Sequence, residues 1–375
     1  MINKGNYITA DCYADHFSSS YCFFKDNKTY NGKAGEEQVR KRTRNHNLSI
    51  KGIFKLGNRH KLSVGTEYIV DVLKSQTDNI AKEDAYTLAL FAQDEIKLLR
   101  NLQALIGVRY IYHENFKNHA TPNVALMYKP GKFNFRASYA AGFRTPTLSE
   151  LYATDIAKKN DRLTIGNLDL KSEKNNYFSL SAEYVHERFS VSVNAFYNNI
   201  RDMIDYNTIA TGDKAMEQYG HKEVRQRDNI AEAKVHGINV SANAYLGAGF
   251  NLSGGYTHLN TQDVELEQPI DKSIKNAYNI NAQWAHSWKI YRLNINLNGR
   301  INSKRFSKSY GYAPEYQLWN LNTRHSFNLK SVIIEPGCGM ENLFDYMDDR
   351  PYNSNYATLT PGRSFYISLS LKFKS

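Results

Sequence analysis

Between positions 364 and 373 the chain reads Ser-Phe-Tyr-Ile-Ser-Leu-Ser-Leu-Lys-Phe. In an extended backbone this puts Phe365, Ile367, Leu369, Leu371 and Phe373 on one face and Tyr366, Ser368, Ser370 and Lys372 on the other. The dyad recurs at Phe133, Phe135, Ala137 and Tyr139, at Phe178, Leu180, Ala182 and Tyr184, and at Val191, Val193, Ala195 and Tyr197. It returns at Ile238, Val240, Ala242, Ala244 and Leu246, and at Leu293, Ile295 and Leu297. Between these stand Asn134, Arg136, Ser138, Ser179, Ser181 and Glu183, then Arg292, Asn294, Asn296 and Asn298. An Asn- and Ser-rich face implies water, and the simplest solvent for the opposite face is lipid. Tyr110, Tyr112, Trp284, Trp288 and Trp319 fall near strand ends, where aromatic girdles meet the membrane interface.

The connectors alternate in length. One set is tight: Gly57 to His60, Leu98 to Arg100, Pro130-Gly131, His186 to Arg188, Gly247 to Gly249, Ser287 to Lys289 and Lys330-Ser331. The other set is long and polar, near 74–84, 114–121, 142–175, 201–230, 260–274, 304–315 and 344–362. Short turns on one side and long loops on the other describe an outer-membrane barrel with its short side in the periplasm. Counting between connectors gives roughly fifteen strands from Arg44 onward, with two further ones expected near Asn6 to Ala14 and Ser19 to Asp26. The expected fold is therefore an all-β transmembrane antiparallel barrel of the outer-membrane type. An odd count of strands cannot close antiparallel, so the barrel reads as incomplete at its N-terminus.

Composition sharpens this picture. Mean hydropathy is -0.59 and the 27 Tyr dominate the aromatics. No apolar run approaches the roughly 18 residues of a spanning helix, so only strands remain for crossing a bilayer. No Pro/Gly/Ser-rich linker divides the chain, which reads as one domain over 1–375. The start, Met1 to Tyr7, lacks the basic and apolar regions of a secretory signal and suggests a truncated or split reading frame.

Candidate chemistry is sparse. The chain has no GxSxG, Walker or zinc pattern, so a non-enzyme is expected, an outer-membrane hydrolase being the one enzymatic alternative. The 11 His show no HExxH spacing, and Cys12, Cys22 and Cys338 form no CxxC pair; neither cofactor nor metal site is expected. The net charge of +11 is concentrated at Arg40, Lys41, Arg42 and Arg44 and at Lys214, Lys222, Arg225 and Arg227. Solvation alone accounts for such loops, but they could also draw an anionic iron chelate to the mouth or touch lipopolysaccharide phosphates. Nucleic-acid binding is not expected, since no compact recognition motif accompanies the bases.

Several segments resemble one family. Ala137 to Tyr152, with Gly142-Phe143-Arg144-Thr145-Pro146 and Glu150-Leu151-Tyr152, resembles the "GFRxPxxxELY" segment of TonB-dependent outer-membrane receptors. Gly166-Asn167-Leu168-Asp169-Leu170-Lys171-Ser172-Glu173 resembles the "GNPxLxPE" box, and Asn229 to Gly237 resembles the strand leading into "GxE". Glu341-Asn342-Leu343-Phe344-Asp345 resembles "ENLFD", and Pro361-Gly362-Arg363-Ser364-Phe365-Tyr366 resembles the closing "PGRxFY" strand, which ends at Phe373. Together the matches run from about 85 to 375 in the family's order. The sequence departs from the family at Leu168, where Pro is usual, at Asn239, where Glu is usual, and in the Lys374-Ser375 extension.

The resemblance implies a receptor whose plug sits inside a barrel of about 22 strands, of which this chain would supply about 15–17. It implies an outer-membrane site in a Gram-negative bacterium, a lipid and lipopolysaccharide surround, and assembly by the barrel insertion machinery. The TonB energy complex would act through a plug that this sequence does not contain. The implied cargo is a scarce metal chelate, first a ferric siderophore and otherwise cobalamin or haem. Haem-uptake members place a His between the Arg-Pro and Asn-Leu boxes, and 147–166 contain none. A passive porin-like channel and a surface adhesin are the readings outside transport by this family.

The motif residues read mainly as architecture. Pro146 lacks a backbone donor and helps end its strand, leaving Arg144 at the mouth to pair with Glu150 or another rim carboxylate, or else to touch the substrate. Tyr152, Asn167, Asp169 and Glu173 complete that rim set. Asn342, Phe344 and Asp345 read as strand-end and turn residues, with Gly362 in the turn and Arg363 bracing carboxylates.

Overall fold

The computed structural model describes residues 5–28, 31–157, 160–307, 311–348 and 360–374. Met1 to Lys4, Ser375 and parts of the expected loops at 304–315 and 344–362 lie outside the described residues.

Strands dominate the chain. In order they are β1 (Tyr7–Cys22), β2 (Glu37–Leu56), β3 (His60–Ser75), β4 (Ile80–Leu99), β5 (Leu102–His113), β6 (Lys117–Tyr128) and β7 (Phe133–Arg144). Helix α1 (Leu148–Tyr152) and the short β8 (Thr154–Ala157) and β9 (Arg162–Ile165) follow, then β10 (Glu173–Val185) and β11 (Phe189–Thr211). Helix α2 (Gly212–Tyr219) leads to β12 (Glu223–Gly247), β13 (Phe250–Asp263), β14 (Asn276–Trp288) and β15 (Tyr291–Asn302). The short β16 (Arg305–Ser307) and β17 (Gly311–Ala313) precede β18 (Tyr316–Asn328), β19 (Val332–Glu341) and β20 (Ser364–Phe373). Neither helix is long and apolar enough to cross a membrane.

The chain divides into two compact units. The first comprises Met1–Leu126, Ser138–Tyr177 and Asn199–Glu232, the second Met127–Ala137, Phe178–Asn198 and Ala233–Ser375. In the first unit β1 to β5 pair consecutively and antiparallel. In the second, the part of β12 from Ala233 onward pairs with β13, and the ladder continues through β14, β15, β18, β19 and β20.

Register keeps the dyad in phase from strand to strand, which is what a continuous one-sided apolar surface requires. In the second unit Ala282, Ile295, Thr323 and Cys338 belong to one face, and so do Leu252, Leu297 and Leu321. In the first unit Leu48 stands opposite Tyr68, Tyr68 opposite Leu88, and Leu88 opposite Tyr112. Side chains on this face are exposed although apolar: Leu48, Leu90 and Val108 are each about half accessible, and Ile367 is 87% accessible. A water-soluble sheet would not leave such a surface uncovered. The opposite face carries paired polar groups. Arg109 pairs with Glu67, Asn45 donates to Asp71 at 2.8 Å, and in the second unit Lys372 meets Glu335 at 2.8 Å while Asn134 donates to Glu183 at 2.9 Å.

Two rows of aromatic side chains cross the apolar face, the arrangement expected of interfacial girdles. Trp284, Trp288 and Tyr291 form a run at one end, with Trp284 and Trp288 at 6.1 Å and Trp288 stacked on Tyr291 at 5.5 Å. Tyr68, Tyr86 and Tyr112 form another, with neighbouring rings 6.0 and 6.1 Å apart.

The tight turns fall where the sequence places them, and Gly131, with φ of 62°, occupies the left-handed conformation that the β6–β7 turn requires. Three expectations change. The two strands foreseen before Arg44 are one, β1, which passes Ser19/Ser20 with a bulge instead of a turn because its backbone stays paired to β2. Sixteen strands, β1–β7, β10–β15 and β18–β20, are thus ten residues or longer among the described residues, an even number where an odd count was foreseen. The connectors foreseen at 74–84 and 114–121 shrink to 76–79 and 114–116, and that at 201–230 contracts around α2. Strands β2, β4, β11 and β12 run 20, 20, 23 and 25 residues, far past the roughly ten needed to cross hydrocarbon. Beyond the lipid both faces are polar, so the dyad fades although pairing continues.

Candidate functional site

The rim motif of the first unit is built around α1. Pro146 is buried and ends β7, and Thr147 then caps the helix with a capping box. The Glu150 N–H donates to Thr147 Oγ1 at 3.2 Å, and the Thr147 N–H donates to Glu150 Oε2 at 2.8 Å. That orients the Glu150 carboxylate toward Arg144, whose Nη1 donates to Oε2 at 2.8 Å.

The other edge of the Arg144 guanidinium grips Glu173, with Nε to Oε2 at 2.8 Å and Nη2 to Oε1 at 2.6 Å, a bidentate fork. Glu173 Oε1 also accepts the Ile204 N–H at 2.8 Å. One guanidinium therefore joins the end of β7, helix α1, the start of β10 and the upper part of β11. The two carboxylates are largely shielded, at 13% and 15% side-chain exposure, while Arg144 keeps 42%. Its proton is held more tightly than usual, chiefly by the Glu173 hydrogen bond, with burial opposing and Glu150 adding to the effect. Burial works to raise the Glu150 carboxyl, but the Arg144 hydrogen bond and the Thr147 N–H outweigh it and hold the group below its ordinary range.

Apolar packing fixes this assembly. Leu151 packs with Leu170 and Ile204, and Leu148 with Leu73, Ile80 and Ala85, with Tyr152 against both clusters. Gly166 permits the close approach, since a Cβ there would lie 2.4 Å from the Leu151 carbonyl oxygen. Asn167 Oδ1 accepts the Asp169 N–H at 2.9 Å, forming the turn into Leu170. Phe143 stacks on His119 at 4.3 Å, and His119 Nε2 lies 3.4 Å from Ser172 Oγ.

The sequence reading missed several contacts here. Asn229 reaches the Lys171 backbone at both N–H and C=O and donates to the Asp202 carbonyl at 2.6 Å. Ser149 donates to Asp78 at 2.9 Å, with Lys41 3.8 Å from that carboxylate. Arg225 and Arg227, expected in a loop, stand on β12, where Arg227 lies over the Tyr206 ring at 3.5 Å and Arg225 pairs with Glu223 at 2.5 Å. No spacing in the chain signals the contacts of Asn229, Ser149 and Arg227, which join residues remote in sequence, whereas Glu223 and Arg225, two apart on β12, share a face through the strand's own period.

The second motif group belongs to the second unit. Asn342 is 4% exposed with φ of 49°, and its amide donates to the Tyr346 and Pro361 carbonyls at 2.7 and 3.1 Å while accepting the Tyr346 N–H. Asp345 accepts the Arg363 N–H at 2.6 Å, so the contact between Arg363 and a carboxylate is made by its backbone. Gly362 lies beside Asp345, Phe344 meets Trp319 edge-on at 6.4 Å, and Phe373 stands opposite Val332 with 81% exposure. The polar face of this unit also holds a cleft of about 310 Å³ lined by Asn294, Asn296, Asn322, Arg324, Tyr366 and Ser368. The three cysteines are free thiols.

These two motif groups occur on a strand architecture with a known counterpart. The family profile described as TonB dependent receptor-like, beta-barrel, matches residues 4–343. The chain belongs to this family. Its members are transport receptors of the Gram-negative outer membrane, and the fold is the antiparallel outer-membrane barrel type. A ferric enterobactin receptor of Pseudomonas aeruginosa is 23% identical over 85% of the chain and 49% of its own length. A crystal structure of the ferric enterobactin receptor PfeA from that organism superposes with a TM-score of 0.80 at 18% identity, covering 98% of this chain and 59% of that one. The siderophore receptor PirA of P. aeruginosa superposes with a TM-score of 0.70 at 17% identity, over 99% and 64% of the two chains. The chain thus spans about half the length of the curated relative it matches.

Proposed function

We propose that residues 1–375 form one barrel domain of an outer-membrane receptor for TonB-energised uptake of a ferric siderophore. The observation that carries this reading is the family match over 4–343, joined to relatives described as ferric enterobactin and siderophore receptors. Loops beyond the long strands would capture the chelate, and cations such as Lys214 and Lys222 would raise its local concentration at the mouth. Energy from the TonB complex would be delivered through a plug belonging to the rest of the receptor. Lipid, lipopolysaccharide and the barrel insertion machinery are the remaining partners, and no catalytic step is required of the chain.

In this reading Phe143, Arg144, Pro146, Glu150, Tyr152, Asn167, Asp169 and Glu173 brace the rim, and Asn342, Phe344, Asp345, Gly362 and Arg363 shape the approach to the last strand. Phe373 would present the terminal aromatic for assembly. The test is growth of a strain carrying the complete gene, compared with its deletion, on defined ferric chelates as sole iron source. Loss of growth on one siderophore supports the proposal. Equal growth on every chelate, with impaired use of cobalamin, would overturn the cargo.

A further inference from the structure

The basic run at the start of β2 is divided by the pleat. Lys41 joins the polar face, where it approaches Asp78 at 3.8 Å. Arg42 and Arg44 are exposed on the same face as Leu48 and Ile50, the apolar face turned to lipid. Opposite Arg44 on β1 is His16, and opposite Arg42 are Ser18 on β1 and Lys74 on β3. His46 shares a row with Val70 and Tyr86, and Tyr86 belongs to the aromatic girdle. Arg44 and Arg42 stand roughly 7 and 13 Å further along the strand, beyond that girdle and away from the tight Gly57 turn.

The surroundings leave these charges unspent. Among the described residues neither Arg42, Arg44 nor Lys74 has an ion-pair partner; Asp84, opposite Val72 on the adjoining β4, is held by Lys82 at 3.1 Å, and Asp94, further down the same face, pairs with His60. Arginines placed just outside hydrocarbon, on the lipid side and without carboxylates, complement an anionic headgroup layer. We propose that Arg42 and Arg44, flanked by His16 and Lys74, bind the phosphates of outer-leaflet lipopolysaccharide. The inference rests on the membrane reading above and assigns that lipid a place on the wall. Guanidinium forks would take the phosphate oxygens while Leu48 and Ile50 meet the acyl chains below.

The experiment uses the full chain in phosphatidylcholine nanodiscs, titrated with bis-phosphorylated lipid A, dephosphorylated lipid A or inorganic phosphate. Saturable binding of phosphorylated lipid A is expected, about fivefold weaker in Arg42→Gln or Arg44→Gln and about thirtyfold weaker in the double variant, as the loss of one or two interfacial cations predicts. The Arg42→Lys/Arg44→Lys double variant should retain most of the binding, and Lys51→Gln, altered on the opposite face, all of it. Equal affinity for dephosphorylated lipid A, or no loss in the double glutamine variant, would overturn the site. Matching affinity for inorganic phosphate would replace the lipid by a soluble anion and overturn it too. Failure of the unaltered chain to enter nanodiscs would instead refute the membrane reading itself.

Discussion

At the scale of residues, Arg144 is the position at which sequence and geometry converge. It is shared by two shielded carboxylates, and one of them, Glu173, also holds the Ile204 N–H. Replacing Glu173 by Gln removes the charge that makes the fork strong and leaves the guanidinium half-satisfied. Amide exchange at Ile204 and along 145–172 is expected to accelerate about tenfold, matching a loss of about 1–2 kcal/mol for a charged hydrogen bond in a half-exposed pair. The same contacts set a pH dependence. The Glu150 carboxyl is depressed when folded, so its stabilising contribution is complete above the ordinary glutamate range and fades as pH falls through its lowered value. Exchange in the loop, corrected for intrinsic chemistry, should therefore stay constant from neutral pH down to the ordinary glutamate range and rise only below it.

At the scale of elements, the period of two was legible in the sequence because lipid demands it. Leu293, Ile295 and Leu297 sit on the apolar face in the sequence pattern and in the ladder alike. Tight turns were legible for a related reason, since Pro130-Gly131 needs a particular backbone geometry. The upper halves of β11 and β12 were not, because no solvent contrast distinguishes their faces, and residues such as Asp228 and Asn207 read as loop. Helix α2 and the Asn229 clamp were equally hidden, as each depends on segments brought together by the paired strands, whereas the pairing of Arg144 with rim carboxylates was legible and only its sharing between Glu150 and Glu173 was not. The alternation itself predicts unequal responses from adjacent positions. Ile295→Lys should destabilise refolding into lipid vesicles by about 2–4 kcal/mol, whereas Asn296→Lys, one residue on, should change it by under about 1 kcal/mol. Equal costs would mean that β15 does not present one face to hydrocarbon.

At the scale of the whole molecule, membership of a transport family, a polar face opposite the apolar one and strands lengthened beyond the membrane are the grounds of the proposed uptake. All of it depends on lipid wetting one face of each strand. The most direct measurement places single cysteines at successive positions from Tyr291 to Asn302 in a background with Cys12, Cys22 and Cys338 replaced by Ser. The chain is refolded into vesicles, and each site is probed with a water-soluble thiol reagent and a lipid-phase quencher. Leu293, Ile295 and Leu297 should respond to the lipid quencher, and Asn294, Asn296 and Asn298 to the aqueous reagent. Uniform labelling of both sets from water would contradict the account.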